Sequence, residues 1–194
     1  MPSAFEKLLA EIRACRVCAE HLPHGPRPVL AASPDARLLI IGQAPGRKVH
    51  ESGIPWQDVS GDRLRAWLEV DRETFYDPSR IALLPTGFCY PGSGRSGDLP
   101  PRPECAPLWK PRLHPALGRV RLTLLVGSYA QAEELGERAK ATLTETVKAW
   151  REYGPGVIPL PHPSPRNRLW LRRNPWFEQE LLPELRTSVQ AALE

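Results

Sequence analysis

The sequence predicts an α/β fold, a three-layer α/β/α sandwich around a central, mainly parallel four-stranded sheet. Short apolar runs alternate along the chain with helix-patterned segments, the arrangement that yields parallel strands joined by helical crossovers. The strand candidates are continuous apolar runs rather than alternating ones, as expected where helices cover both faces of a sheet. With 194 residues and neither an internal repeat nor a linker, residues 1–194 read as a single domain.

Ser3 heads "SAFEKLLAEIRAC" as an N-cap with Glu6 three residues on, and Phe5, Leu8, Leu9 and Ile12 follow at helical spacing. This amphipathic helix delivers Cys15 and Cys18. Turn-rich "RPVLAASPDA" precedes "RLLII", the first strand. That strand runs into "GQAPGRKVHESGIPWQD", a loop punctuated by glycine and proline. A helix restarts at Ser60 in "SGDRLRAWLEV", and Arg80 to Pro85 form the second strand. From Cys89 to Pro111 the chain is mostly Gly, Pro, Ser and charge, predicting a long loop that is ordered only if something anchors it. The third strand, "VRLTLLVG", starts at Val120, and a helix follows from Ser128 to about Glu152, broken at Gly136. "GVIPLPHP" is a short fourth strand, and "NPWFEQELLPELRTSVQAALE" closes the chain as a helix kinked at Pro183.

Twenty-three prolines spread through the connections make many of them stiff. A net charge of +4 and a pI near 9.0 tilt the surface mildly toward polyanions, a tilt shared by many enzymes. The charged first helix contains no long apolar run, so neither a signal peptide nor a membrane span is expected, and the setting is cytoplasmic. In that reducing setting the four cysteines are expected as thiols or metal ligands rather than disulfides. Cys15 and Cys18 form a C-x-x-C pair, and Cys89 and Cys105 bracket the Pro/Gly-rich loop. Four soft thiolates suit either a tetrahedral zinc ion or an iron-sulfur cluster.

The loop after the first strand, "TGFCYPG" and "HPSPRN" all follow strands, so the topology gathers them at one edge of the sheet. The first of these lacks the Lys and Ser/Thr of a phosphate-binding loop. A pocket for a flat, polar ring is the better reading.

The chain resembles the uracil-DNA glycosylase superfamily, most closely its iron-sulfur branch, often termed family four. That branch places a C-x-x-C after a short N-terminal helix and a widely spaced pair after the second strand, as Cys15, Cys18, Cys89 and Cys105 are placed here. Its Gly-Glu-Ala-Pro-Gly and Gly-x-Pro-Phe motifs correspond to "GQAPG" at Gly42 to Gly46 and "GIPW" at Gly53 to Trp56. Its closing His-Pro-Ser-Pro stands at His162 to Pro165, and the extension "RN" resembles the single-strand-selective glycosylases.

The resemblance implies removal of uracil or a related deaminated base from DNA, a 4Fe-4S cluster (zinc being the alternative) on the four cysteines, and a monomer. Cleavage of an N-glycosidic bond places negative charge on the base, so His162 is expected to donate to the base's carbonyl oxygen. Backbone N–H groups of Gly42, Gln43 and Ala44 are suited to a carbonyl or a water, and Trp56 takes the place of the Phe that stacks on uracil. Ser164, Pro165 and Arg166 belong to a stiff loop expected to press on the DNA backbone, and Arg47, Lys48, Arg168, Arg172 and Arg173 are phosphate-contact candidates.

Two departures from the iron-sulfur branch, and one from the better-known glycosylases, bear on mechanism. Gln43 stands where the branch has Glu, and a glutamine cannot serve as a base. Pro85 stands where the branch has a base-reading Asn, and Ala44 where better-known glycosylases have their activating Asp. Asp58 and His50, flanking the Gly-x-Pro-aromatic turn, are the substitutes expected for the missing acid, and Asn167 the substitute reader of the base. A non-catalytic damaged-DNA binder and an unrelated zinc-stabilised hydrolase are the rival readings.

Overall fold

The structure, a computed structural model, describes residues 1–194. Its elements in chain order begin with helix α1 (Ala4–Arg13), strand β1 (Leu38–Gly42), and helices α2 (Arg47–Ser52), α3 (Val59–Leu68) and α4 (Arg72–Tyr76). Strand β2 (Ile81–Pro85), a small hairpin of β3 (Ser93–Gly94) and β4 (Gly97–Asp98), and helix α5 (Cys105–Leu113) follow. Strand β5 (Leu122–Val126), helices α6 (Ser128–Leu135) and α7 (Leu143–Lys148), strand β6 (Val157–Leu160), and helices α8 (Arg168–Arg173) and α9 (Leu182–Leu193) complete it.

The central sheet has four strands in the order β2-β1-β5-β6, all parallel. Successive side chains point to opposite faces, so Leu38 and Ile40 enter one apolar cluster with α3 and α9, while Leu39 and Ile41 enter another with α1, α5 and α6. Both faces are covered, giving the three-layer α/β/α sandwich. The edge of β2 is covered in turn by the segment before β1, where Ala31 exchanges two backbone hydrogen bonds with Leu83. No helix is long and apolar enough to cross a membrane.

The capping box at Ser3 and Glu6 forms, with Ser3 N–H donating to Glu6 Oε2 at 2.6 Å and Glu6 N–H to Ser3 Oγ at 3.1 Å. Gly136, at φ 54, ends α6, and α7 restarts with its own box from Thr142 and Glu145. Three expectations need correction. The Cys89–Pro111 segment contains the hairpin and most of α5. Pro107 sits in the first turn of that helix, where its missing N–H costs nothing, and Pro111 comes two residues before its end. The last helix breaks upstream of Pro183: a π-type turn spans Phe177–Leu181, because a proline ring would clash with the carbonyl four residues back in regular helix. Helices α2, α4 and α8, each six residues or fewer, are too short to print a period on the sequence.

Phe177 is fully buried against Trp67 and Trp170, with ring centroids 4.8 and 5.8 Å away. Replacing it by alanine is expected to lower unfolding free energy by about 3–5 kcal/mol, measured by urea denaturation; a loss under about 1 kcal/mol would contradict this packing.

Candidate active site

A cavity of about 470 Å³ opens at the carboxyl ends of β1, β2 and β6. Its wall brings together the GQAPG loop, the turn through Trp56 and Asp58, and the segment from His162 to Asn167. Strand order reverses between β2-β1 and β5-β6, which opens a crevice at this edge for loops of distant sequence to share.

Trp56 is held in an unusual backbone conformation, with φ at 57°. Its indole lies over Gly42, where an added Cβ would come within 2.9 Å of Trp56 Cζ2. Its carbonyl approaches Gly61 so closely that a Cβ there would lie 1.8 Å from the oxygen. Tyr76 Oη donates to the same carbonyl at 3.1 Å, and Arg65 Nη1 donates to Tyr76 Oη at 3.2 Å. Asp58 caps α3, its Oδ1 accepting from Gly61 N–H at 2.8 Å.

His162 lies beside Trp56 on the cavity wall, with ring centroids 5.7 Å apart and planes inclined by 32°. Buried Gln131 fixes the strand ends beneath it, its Nε2 donating to Leu125 O at 3.3 Å and Leu160 O at 2.9 Å. Ser164 N–H donates to His162 Nδ1 at 3.2 Å, which assigns the imidazole proton to Nε2. Burial holds the imidazole below its ordinary pKa, while the carboxylates of Asp58 and Asp98 pull it upward. The result is a neutral ring that offers an N–H donor.

Other expected residues have prior engagements. Gln43 Nε2 donates to Leu99 O at 3.2 Å, tying the first motif to the Cys89–Cys105 segment. Asn167 Nδ2 donates to His162 O at 2.7 Å, and Arg166 Nη1 to Ser96 O at 3.2 Å. Ser164 lines the cavity, whereas Pro165 is exposed outside its wall. Arg47 and Lys48 are exposed at the start of α2 and also lie off the wall.

His50 likewise lies off the wall. Its ring packs 5.8 Å from Tyr90, which stacks on His24 at 5.2 Å, and burial, then the charges of Arg27 and His24, lower its pKa. The structure adds Asp98, which sequence reading passed over. It ends the β3–β4 hairpin and faces the cavity, and a Gly-rich run with a two-residue loop at Arg95 and Ser96 was its only signal.

A second, apolar cavity is lined by all four cysteines together with Leu22, Phe88, Leu108 and Trp109. None of the thiols is paired in a disulfide. Burial pushes Cys89 up to about 11 and Cys105 up to about 12, and raises Cys18, which also lies against Glu104. No group of three or more His, Cys, Asp or Glu side chains is arranged to hold a single metal ion. A family model described as the uracil DNA glycosylase superfamily matches residues 31–186, a span that leaves out Cys15 and Cys18.

Gly61→Ala is expected to push the Trp56 turn off its seat and cost about 1–3 kcal/mol, read from thermal melts and indole fluorescence. Unchanged fluorescence and stability would contradict the close approach. His162 should titrate below about 6.5 in a histidine NMR series. Because its folded pKa is lowered, its contribution to stability is complete above the unfolded value and is lost as pH falls through the folded one. A midpoint above about 6.5 would exclude the desolvated, neutral ring.

Proposed function

The chain belongs to the uracil-DNA glycosylase superfamily, and on that premise we propose that it is a monofunctional DNA glycosylase. It flips uracil or a related deaminated base out of DNA, hydrolyses the N-glycosidic bond and leaves an abasic site. Membership supports a DNA-acting hydrolase of glycosylase type. The finer reading rests on one observation, the 5.7 Å approach of the Trp56 and His162 rings. They border a cavity of about 470 Å³, within the range of roughly 300–1,000 Å³ usual for small-ligand pockets.

An extruded base entering this cavity would place a flat face on the indole and a carbonyl oxygen near the imidazole. His162 Nε2–H then donates to the oxygen on which negative charge collects as the bond breaks. Because the ring is already neutral and oriented by Ser164 N–H, that donor is in place before the reaction begins. No lysine lines the cavity, which favours direct attack by water over a lysine–sugar adduct. Exposed Arg47, Lys48, Arg168, Arg172 and Arg173 offer cations to phosphates beside the site.

The four cysteines line one cavity but are not grouped around a single ion, and this favours a cluster of several irons, of the 4Fe-4S type, over zinc, the alternative. Cys15, Cys18, Cys89 and Cys105 would hold such a cluster, which would tie the segment after α1 to both ends of the hairpin segment. The protein is read as a cytoplasmic monomer.

A non-catalytic binder of damaged DNA remains the second reading, favoured by Gln43's engagement with Leu99 O and by Pro85, a wall residue without a polar side chain. Oligonucleotides bearing uracil, hypoxanthine or xanthine, single- and double-stranded, separate the two. Free base and an alkali-labile site are expected from at least one substrate, while tight binding without release from any would favour the binder. Anaerobically purified protein is expected to be brown and to contain iron, and Cys105→Ser to lose both colour and thermal stability. Colourless protein carrying stoichiometric zinc would overturn the cluster.

A further inference from the structure

Hydrolysis of an N-glycosidic bond calls for a group that takes a proton from the attacking water and faces the positive charge growing on the sugar. A carboxylate does both. Two acidic residues line the cavity along with Trp56 and His162: Asp58, and Asp98 on the exposed hairpin. Their surroundings differ. Asp58 Oδ1 accepts from the Gly61 backbone at 2.8 Å as the cap of α3, so its carboxylate holds together the turn on which Trp56 sits.

Asp98 caps no helix. Its Oδ1 accepts from Ser93 Oγ at 3.1 Å, and Ser93 Oγ is paired in turn with Tyr90 Oη at 2.6 Å. Tyr90 is fully buried, so the orientation of Asp98 is referred back to the core. Its Oδ2 sits beside Gly46, where an added Cβ would come within 3.3 Å of it. The hairpin that carries it is fastened twice more, by Gln43 Nε2 on Leu99 O and by Arg166 Nη1 on Ser96 O. A two-stranded hairpin this small is not stable alone. These ties bring a pre-oriented carboxylate to the GQAPG side of the cavity.

We propose that Asp98 is the catalytic carboxylate of this site and that Asp58 is a positioning residue. The proposal rests on the glycosylase reading above. In the step it describes, the oxygen of water bonds to C1′ of the sugar and the bond from C1′ to the base nitrogen breaks, its electron pair leaving with the base. Asp98 takes the proton released by the water, the departing base acquires one proton from solvent, and His162 Nε2–H holds the base's carbonyl oxygen throughout. Gln43 and Arg166 thereby act on the reaction through the hairpin rather than by touching the base.

The test compares Asp98→Asn, Asp98→Glu and Asp58→Asn in the full chain. Base release is followed in single turnover with excess enzyme over the best substrate of the base panel, and affinity for the same oligonucleotide is measured separately. Asp98→Asn is expected to slow release by roughly 100-fold or more with unchanged affinity and melting temperature. Asp98→Glu should recover part of that loss, and Asp58→Asn, whose amide oxygen can still accept from Gly61 N–H, should keep the melting temperature and most of the rate. Release by Asp98→Asn at the wild-type rate overturns the assignment while leaving the glycosylase reading intact. A folded Asp98→Glu protein no faster than Asp98→Asn, or an Asp58→Asn protein that is stable but inactive, overturns it as well. Wild-type protein that releases no base from any oligonucleotide overturns both.

Discussion

The indole of Trp56 lies over the end of β1 on a backbone that turns left-handed, and the site is organised around that arrangement. A non-glycine residue at φ 57 carries a cost on the order of 1–3 kcal/mol. Three neighbours offset it. Gly42 leaves room for the ring, Gly61 leaves room for the carbonyl, and Tyr76 Oη donates to that carbonyl at 3.1 Å. Arg65 holds Tyr76, and Asp58 receives Gly61's N–H, so the turn is secured from α3 and α4 together. A flat hydrophobic face is thereby fixed at the mouth of a parallel sheet, where no regular element would present one.

The neighbouring wall, at His162, rests on regular structure. His162 follows β6 directly, and Gln131 satisfies the carbonyls of Leu125 and Leu160 where the two strands end. A buried glutamine amide costs free energy unless it is paired; here the pairing locks the spot from which the imidazole projects. Ser164 and Asn167 complete the local lock, one through Nδ1 and one through the His162 carbonyl. Burial then keeps the ring neutral, against the pull of the two nearby carboxylates.

The third wall is of another kind. The β3–β4 hairpin has only two residues per strand and owes its place to side-chain ties from Gln43, Arg166 and Tyr90, and to cysteines at both ends of its segment. Such a segment belongs to the low-stability end of a fold, held by few contacts that are individually modest. Gln43, which cannot serve as a base, has a structural task in that arrangement.

Sequence alone was enough for much of this molecule. Continuous apolar runs such as "RLLII" and "RIALLP" mark strands buried on both faces because hydrophobic patterning is a local property, and the α/β sandwich follows from their alternation with helices. The order of the Gly-Gln-Ala-Pro-Gly, Gly-x-Pro-Trp and His-Pro-Ser-Pro motifs likewise pointed to the superfamily that the match over residues 31–186 identifies. The short helices and the hairpin were not legible, since five or six residues carry no helical period and the hairpin strands have two residues each. Nor was the division of labour among polar residues: that His50 packs on Tyr90 away from the cavity while Asp98 enters it depends on contacts between segments far apart in the chain. Local sequence determines which backbone shapes are affordable, but which side chain meets which cavity is decided by the packing of the three layers, and that exists only once the chain has closed on itself.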